Sequence, residues 1–158
     1  MERFGQMTKG LLKAINEKSW REIERLVHLG GNLNGAYDPF GNTPFLYAMH
    51  IFKKAEEIER LIKLGGDVTY KNRAGKTALM VAVENGCEAI TPWVMVDYDA
   101  DINAQDSLGN TAIIYCLQSY SCTKKLLYAL IDYRADLTNL KNKEGKMAFD
   151  MLWVLIES

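Results

Sequence analysis

The chain has 158 residues, of which 48% are hydrophobic and 25% are charged, and its formal charge is −1. These values are typical of one soluble globular domain, and they lack the basic excess of nucleic-acid-binding proteins. The longest apolar run near the C terminus, 151–156, is six residues long, which is too short to span a bilayer. We therefore expect no nucleic-acid partner and no membrane.

Two short amphipathic helices are predicted at the N terminus. Their apolar positions recur at helical spacing, which favours one buried face on each helix. Ser19 and Glu22 flank the start of the second helix in the pattern of a capping box. The apolar positions are Leu11, Leu12, Ile15, Ile23, Leu26 and Val27.

A Gly-x-Thr element followed by an apolar run recurs twice at a spacing of 34 residues. Each threonine stands where an N-cap belongs, because its hydroxyl can accept a hydrogen bond from the first turn of a helix. Pro44 follows the first threonine at a position where its missing N–H does no harm. The three threonines are Thr43, Thr77 and Thr111.

A second series, offset from the first, has spacings of 35, 34 and 35 residues and begins at Leu29, Leu64, Tyr98 and Tyr133. In its second copy, Gly65 and Gly66 close a helix, because glycine reaches positive φ without strain. Thr91 and Pro92 are predicted as the N-cap and first residue of another helix. Two series with one period predict repeated helix–turn–helix units joined by polar, turn-rich loops.

These residues resemble the ankyrin repeat, whose signature is Gly-x-Thr-Pro-Leu-His-x-Ala followed by a second helix and Gly-Ala-Asp-Val-Asn. The motif histidine is replaced by Leu46, Met80 and Ile114. The resemblance implies an all-α helix-turn-helix solenoid with projecting β-hairpin-like loops, built from about three full repeats and two capping units. We expect a single domain, 1–158, with a cap at 8–34, repeats at about 38–70, 71–105 and 106–139, and a C-terminal cap at 141–158.

No residue pattern predicts an active site, a cofactor or a metal. His28 and His50 are the only histidines, and no ligand pair at metal-binding spacing accompanies them. Gly75-Lys76-Thr77 imitates the end of a phosphate-binding loop, but Tyr70 stands where that loop requires glycine. The cysteines Cys87, Cys116 and Cys122 are predicted to be reduced, mostly buried thiols in a reducing compartment.

In the family that the chain resembles, loops and first helices line a concave groove. Tyr37, Phe40 and Leu108 are large residues at or near predicted loop tips, where they are either interface anchors or packed on their own loops. The three tryptophans, Trp20, Trp93 and Trp153, are predicted to belong to the core. The partner-binding residues implied by the resemblance are Tyr37, Phe40, Asn42, His50, Arg73, Lys76, Glu84, Asn85, Leu108, Asn110 and Gln118.

The resemblance implies a cytoplasmic, non-enzymatic protein–protein interaction module that binds another protein through its concave face and loop tips. We expect the chain to be a monomer. The alternative is a regulator, an inhibitor or a host-targeted effector, delivered into a host cell, that blocks an enzyme by binding it. Both functions need only a complementary surface, so the sequence leaves them open.

Overall fold

The computed structural model describes the backbone of residues 2–157 and the side chains of residues 5–154. Within this part of the chain the structure contains nine α-helices and no strands, and one isolated antiparallel bridge joins Lys71 to Thr77. The first helix begins at Glu2, before the predicted N-terminal cap. The helices are α1 (Glu2–Asn16), α2 (Trp20–His28), α3 (Pro44–Ile51), α4 (Ala55–Lys63), α5 (Ala78–Glu84), α6 (Thr91–Asp97), α7 (Ala112–Gln118), α8 (Lys124–Asp132) and α9 (Ala148–Glu157).

The helices form two stacks. The odd-numbered helices from α1 to α9 each contact the next odd-numbered helix, and α4, α6 and α8 stack in the same order beside them. Each short helix pair buries its apolar face against its neighbours rather than alone. The predicted all-α solenoid is therefore confirmed.

The first helices are buried on almost every side. Phe45, Leu79 and Ile113 occupy equivalent positions in α3, α5 and α7, and all three are fully buried. The residues that replace the motif histidine, Leu46, Met80 and Ile114, are buried beside them, each worth about 1.5–3 kcal/mol of hydrophobic transfer. Apolar packing thus takes the place of the histidine's hydrogen bonds.

Two of the three predicted threonine caps are formed. The Thr43 hydroxyl accepts a hydrogen bond from the Leu46 N–H at 3.1 Å, and the Thr77 hydroxyl accepts one from the Met80 N–H at 3.3 Å. Thr111 occupies the same position before α7, but its side chain makes no cap bond. Its buried hydroxyl has no hydrogen-bond partner among the described residues.

Two other predicted side-chain caps are not formed. Ser19 is the N-cap residue of α2 as predicted, but its side chain makes no cap bond. Glu22 pairs with Arg25 at 2.6 Å, so the predicted capping box is not formed. The N-cap of α6 is Ile90, so Thr91 is already inside the helix. Ile90 has helical φ and ψ values of −81° and −14°, so the helix begins one residue earlier than the threonine pattern predicted.

Two of the three cysteines, all predicted to be reduced thiols, lie next to each other. Cys116 and Cys122 meet across the turn between α7 and α8, with their Cα atoms 5.1 Å apart. Cys87 lies apart from them and is buried. That the three thiols are reduced stays a prediction. The sequence indicated burial at Cys116, but only the path of the turn brings the second cysteine to it.

The tryptophans divide between core and surface. Trp20 packs against Phe52, with the ring centroids 5.0 Å apart. The Cζ atom of Arg60 lies 4.4 Å from the centre of the Trp20 ring. Trp93 and Trp153 are 45% and 54% exposed, so the prediction that they belong to the core is wrong. Short helices rich in apolar residues, such as α6 and α9, do not reveal from sequence which face meets the neighbouring helix.

Candidate partner-binding surface

The loops that precede the first helices are held in one conformation by a repeated side-chain hydrogen bond. Asp106 Oδ1 accepts hydrogen bonds from the N–H groups of Leu108 and Asn110, both at 2.9 Å. The same arrangement, with bonds of 2.9–3.1 Å, recurs in the other three loops. The side chains that accept these bonds are those of Asp38, Asn72, Asp106 and Asn142.

The loops are also bonded to one another. The Arg73 N–H donates to the Phe40 carbonyl at 3.0 Å, and the Lys143 N–H donates to the Leu108 carbonyl at 2.8 Å. Between these two contacts, the Ser107 N–H donates to the Ala74 carbonyl at 2.9 Å. The tips therefore form one continuous row, which we call the tip row: Phe40, Arg73, Ala74, Ser107, Leu108 and Lys143.

Two large apolar side chains project from the tip row. Phe40 is 70% exposed and Leu108 is 56% exposed, so neither is packed on its own loop. Arg73 is exposed in the loop between them. Tyr37 is less open: it lines a groove against α1, and desolvation together with the neighbouring Asp38 raises the pKa of its phenol.

A polar cluster extends from the tip row onto the first helices. Lys76 Nζ contacts Glu84 Oε2 at 2.6 Å and lies 4.3 Å from the centre of the Tyr115 ring. The Tyr115 hydroxyl donates to Asp106 Oδ2 at 2.5 Å. Desolvation and this carboxylate raise the pKa of Tyr115 far above its ordinary value, so the hydroxyl keeps its proton. Lys76 is therefore held in place by one carboxylate and one aromatic face.

Two predicted residues meet one unit away from this cluster. His50 Nδ1 lies 3.3 Å from Asn85 Oδ1, and the Asn85 amide donates to the Val81 carbonyl at 2.8 Å. Gln118, the equivalent of His50 and Glu84 on α7, is exposed and lines a groove with Lys146 and Val154. These side chains lie along one side of α3, α5 and α7.

Asn42 and Asn110, which the resemblance implies as partner-binding residues, form hydrogen bonds to neighbouring loops. Asn42 Oδ1 accepts a hydrogen bond from Asn72 Nδ2 at 3.0 Å. Asn110 Oδ1 accepts one from Asn142 Nδ2 at 3.1 Å. Both amides therefore join adjacent loops, and contact between these two residues and a partner stays a prediction.

Sequence reasoning missed Tyr115 and Asp106. Asp106 carried a signal, because it recurs with Asn72 at the spacing of the repeat and Asp or Asn at such positions is typical of a side-chain-capped turn. Tyr115 carried a weaker one: it is a tyrosine in an otherwise aliphatic helix, three residues before Gln118 on the same helical face.

The structure offers no other obvious chemistry in the part of the chain that it describes. Across the described residues, no group of three or more His, Cys, Asp or Glu side chains is placed to hold a metal ion. None of the helices described above is long and apolar enough to cross a membrane.

Comparison with known families agrees with this architecture. A family model for ankyrin repeats matches residues 11–106 and 53–139, in three copies. The chain belongs to the ankyrin-repeat family. Ankyrin repeats generally serve as protein–protein interaction modules, and the tip row is built from the loops that separate them.

One curated relative is a protein of Plasmodium falciparum whose name describes it as a candidate E3 ubiquitin-protein ligase. It is 34% identical to this chain over 84 residues, which is 49% of this chain and 1% of the relative. The chain thus spans a very small part of that protein.

Proposed function

We propose that this ankyrin-repeat chain is a non-enzymatic interaction module that binds a protein through the tip row and the adjoining first helices. The observation that supports this most directly is the exposure of Phe40 and Leu108 on loops whose backbone is already fixed by hydrogen bonds. Large apolar side chains on rigid, exposed loops are typical of interface anchors.

The rigidity of the loops favours binding as well as exposure. Association loses free energy when mobile side chains and loops must be ordered, and a preformed surface avoids much of that loss. Here every loop carries the same Asp or Asn turn and is bonded to its neighbour. The anchors are therefore presented at fixed separations before a partner arrives.

The charges within the tip row indicate what the partner offers. Arg73 stands between the two apolar anchors, and Lys143 extends the row beyond Leu108. Lys76, by contrast, is already paired with Glu84. A partner with two apolar pockets on either side of an acidic group would match this order of side chains.

Affinity capture with the full chain tests this surface. The test variant carries Phe40→Ala and Leu108→Ala, and the matched control carries Tyr128→Ala and Leu29→Ala. Leu29 has the same 56% exposure as Leu108, but it follows α2 instead of lying at a tip. We expect the test variant to lose at least about 90% of the captured protein, since two anchors of 1–2 kcal/mol each lower affinity by tenfold or more.

The control variant should capture the same protein at the wild-type level. Equal capture by both variants, with circular dichroism spectra like the wild type, would rule out the tip row as the binding surface. If the captured protein is an enzyme, its activity with and without the chain distinguishes a neutral module from an inhibitor.

A further inference from the structure

The ends of the second helices change character along the chain. The last residues of α2 and α4 are His28 and Lys63, whereas the last residues of α6 and α8 are Asp97 and Asp132. The C-terminal end of a helix carries partial negative charge, so basic residues stabilise it and carboxylates do not. The last turns of α6 and α8 contain no basic residue. The two later helices therefore concentrate negative charge where it is unfavourable for the isolated fold.

The residues that follow these helices change in the same way. The C-cap is Leu29 or Leu64 in the first two units and Tyr98 or Tyr133 in the next two. The position after the cap has positive φ in all four, but Asp99, at φ 72°, stands where the earlier units have glycine. A residue with a Cβ is strained in this region. In the next unit Arg134, at φ 64°, occupies the equivalent position. The two later units therefore both place a charged side chain where the earlier units have glycine.

Aromatic rings lie next to these carboxylates. Trp93 and Tyr133 are stacked with their centroids 5.8 Å apart. Trp93 and Tyr98 are exposed, and Trp93 lies one turn before Asp97 on the same side of α6. The pKa of Tyr133 is raised by desolvation and by the charges of Asp97 and Asp132. Asp97 and Asp132 are the last residues of α6 and α8, and the stacked rings of Trp93 and Tyr133 join the ends of these two helices.

No ion pair of the described residues involves the three carboxylates at these helix ends. Lys63 pairs with Glu59 at 2.9 Å, and Glu59 also accepts a hydrogen bond from the Tyr98 hydroxyl at 3.4 Å. The sequence between Thr77 and Thr123 contains six acidic residues and no Lys, Arg or His. Arg134, which follows the C-cap of α8, is exposed. The ends of α6 and α8 therefore combine three carboxylates with one basic side chain, and they keep an acidic excess.

We propose that these helix ends form a second docking surface, which binds a partner segment combining arginine or lysine with an apolar side chain. We call it the helix-end patch: Trp93, Asp97, Tyr98, Asp99, Asp132 and Tyr133. A guanidinium or ammonium group is attracted to the face of an exposed indole. It can also form charge-assisted hydrogen bonds with the carboxylates on either side. Ile90, exposed one turn before Trp93, extends the apolar part of the surface. The patch lies on the second helices, apart from the tip row, and so it goes beyond the function proposed above.

Two labelled peptides test the charge and the apolar requirement with the full chain. The first has a central leucine flanked on both sides by arginines, and the second has glutamates in place of the arginines. A third peptide replaces the leucine of the first with glycine. Fluorescence anisotropy gives the Kd of each peptide for the wild type and for Asp97→Asn/Asp132→Asn, Trp93→Ala and Asp99→Gly.

The control variant, Glu17→Gln/Glu56→Gln, removes the same amount of negative charge elsewhere. Both carboxylates are exposed: Glu17 follows α1, and Glu56 lies on α4. We expect the arginine–leucine peptide to bind the wild type and the glutamate peptide not to bind. The Asp97→Asn/Asp132→Asn and Trp93→Ala variants should raise the Kd at least about tenfold, and the control should change it less than about twofold. The leucine-to-glycine peptide should bind more weakly than its parent.

Three results would overturn the proposal. One is an equal rise of Kd in the test and control variants, which would indicate attraction to the acidic chain as a whole. Another is binding of the arginine–leucine peptide that depends on Phe40 and Leu108, which would move it to the tip row. The last is a wild-type mass that rises with concentration while that of Trp93→Ala does not, which would assign the patch to a second copy of this chain.

Asp99→Gly keeps the test informative if the other variants fold poorly. Glycine relieves the positive φ, so this variant should melt at a higher temperature than the wild type while binding the arginine–leucine peptide more weakly. Weaker binding by a more stable protein cannot be explained by loss of structure. Unchanged binding by Asp99→Gly, together with unchanged binding by the Asp97→Asn/Asp132→Asn variant, would contradict the proposal.

Discussion

Cys87 shows how a single buried side chain responds to the stack around it. The residue follows α5 and is almost fully buried. Burial raises the pKa of its thiol from 9.0 to about 12. Desolvation is also the main cause that lowers the pKa of Lys53. The folded chain therefore keeps the Cys87 proton at pH values where the unfolded chain releases it.

This difference predicts a loss of stability in alkaline solution. Between about pH 9 and about pH 12 the folded state binds more protons at Cys87 than the unfolded state, so the free energy of unfolding falls as pH rises, by at most about 1.4 kcal/mol per pH unit. Urea unfolding of the wild type and of Cys87→Ala at pH 7.5, 9 and 10 checks this.

The wild type should lose stability faster than Cys87→Ala above pH 9, and the difference between them should be constant at lower pH. Tyrosines and the lysines other than Lys53 titrate in both proteins, so their contribution cancels in the comparison. The charges of Lys53 and Cys87 act on each other, so the difference between the two proteins reports on this pair. Parallel stability curves through the whole range would show that the Cys87 thiol is ionised as readily in the folded chain as in the unfolded one.

At the scale of single elements, the threonines at helix starts are chemically alike but differ in the hydrogen bonds that their hydroxyls make. Thr43 and Thr77 accept cap bonds, whereas the Thr111 hydroxyl is buried without a hydrogen-bond partner among the described residues. Thr91 is not a cap either, and its hydroxyl lies beside the Cys87 thiol, whose pKa it lowers. The sequence predicted all four as caps, because the residue type and the position in the repeat are right. Whether the hydroxyl reaches an N–H depends on backbone angles that the neighbouring elements set.

Valine substitution separates Thr111 from the two threonines that form caps. Thr43→Val and Thr77→Val should each lower the free energy of unfolding by about 1 kcal/mol, because each removes a cap bond. Thr111→Val should be neutral or stabilising by up to about 1 kcal/mol, because it removes a buried hydroxyl that makes no bond. Chemical denaturation of the three single variants gives the comparison, and equal destabilisation by all three would contradict it.

The element scale also shows where the candidate site was predictable. The resemblance to the ankyrin repeat implied Phe40, Arg73 and Leu108 as partner-binding residues, and the structure joins their loops in the tip row. The hydrogen bonds from neighbouring loops to Asn42 and Asn110 were not predictable, because they depend on the distance between the loops. The aromatic and acidic ends of α6 and α8 were also missed, since Trp93 was assigned to the core.

At the scale of the whole molecule, the burial of equivalent core positions is complete in the middle of the stack and falls at α9. Phe149 on α9 is the counterpart of Phe45, Leu79 and Ile113, which are fully buried, but it is itself 47% exposed. In α3, the face of Phe45 is covered by the close approach of Gly66, where an added Cβ would lie 2.3 Å from the ring. The described structure places no second helix beside α9, so Phe149 lacks such a cover.

Equivalent truncations should therefore have unequal effects. Ile113→Ala is expected to lower the free energy of unfolding by about 2–5 kcal/mol, as large-to-small changes do in packed cores. Phe149→Ala should lower it by less than about 2 kcal/mol, since half of the ring is already in contact with water. Thermal or urea unfolding of both variants measures this, and a larger loss for Phe149→Ala than for Ile113→Ala would show that α9 is packed as tightly as α7.

The sequence by itself determined the repeat, its period, the helix pairs and the row of loop tips. These features follow from local chemistry: glycine at positive φ, threonine before an apolar run, and apolar residues at helical spacing. Only the tertiary structure decided which threonines cap a helix, that Cys116 meets Cys122, and that Trp93 and Trp153 face outward. Each of these depends on how far one unit lies from the next, and that distance is set by the packing of side chains that are far apart in the chain.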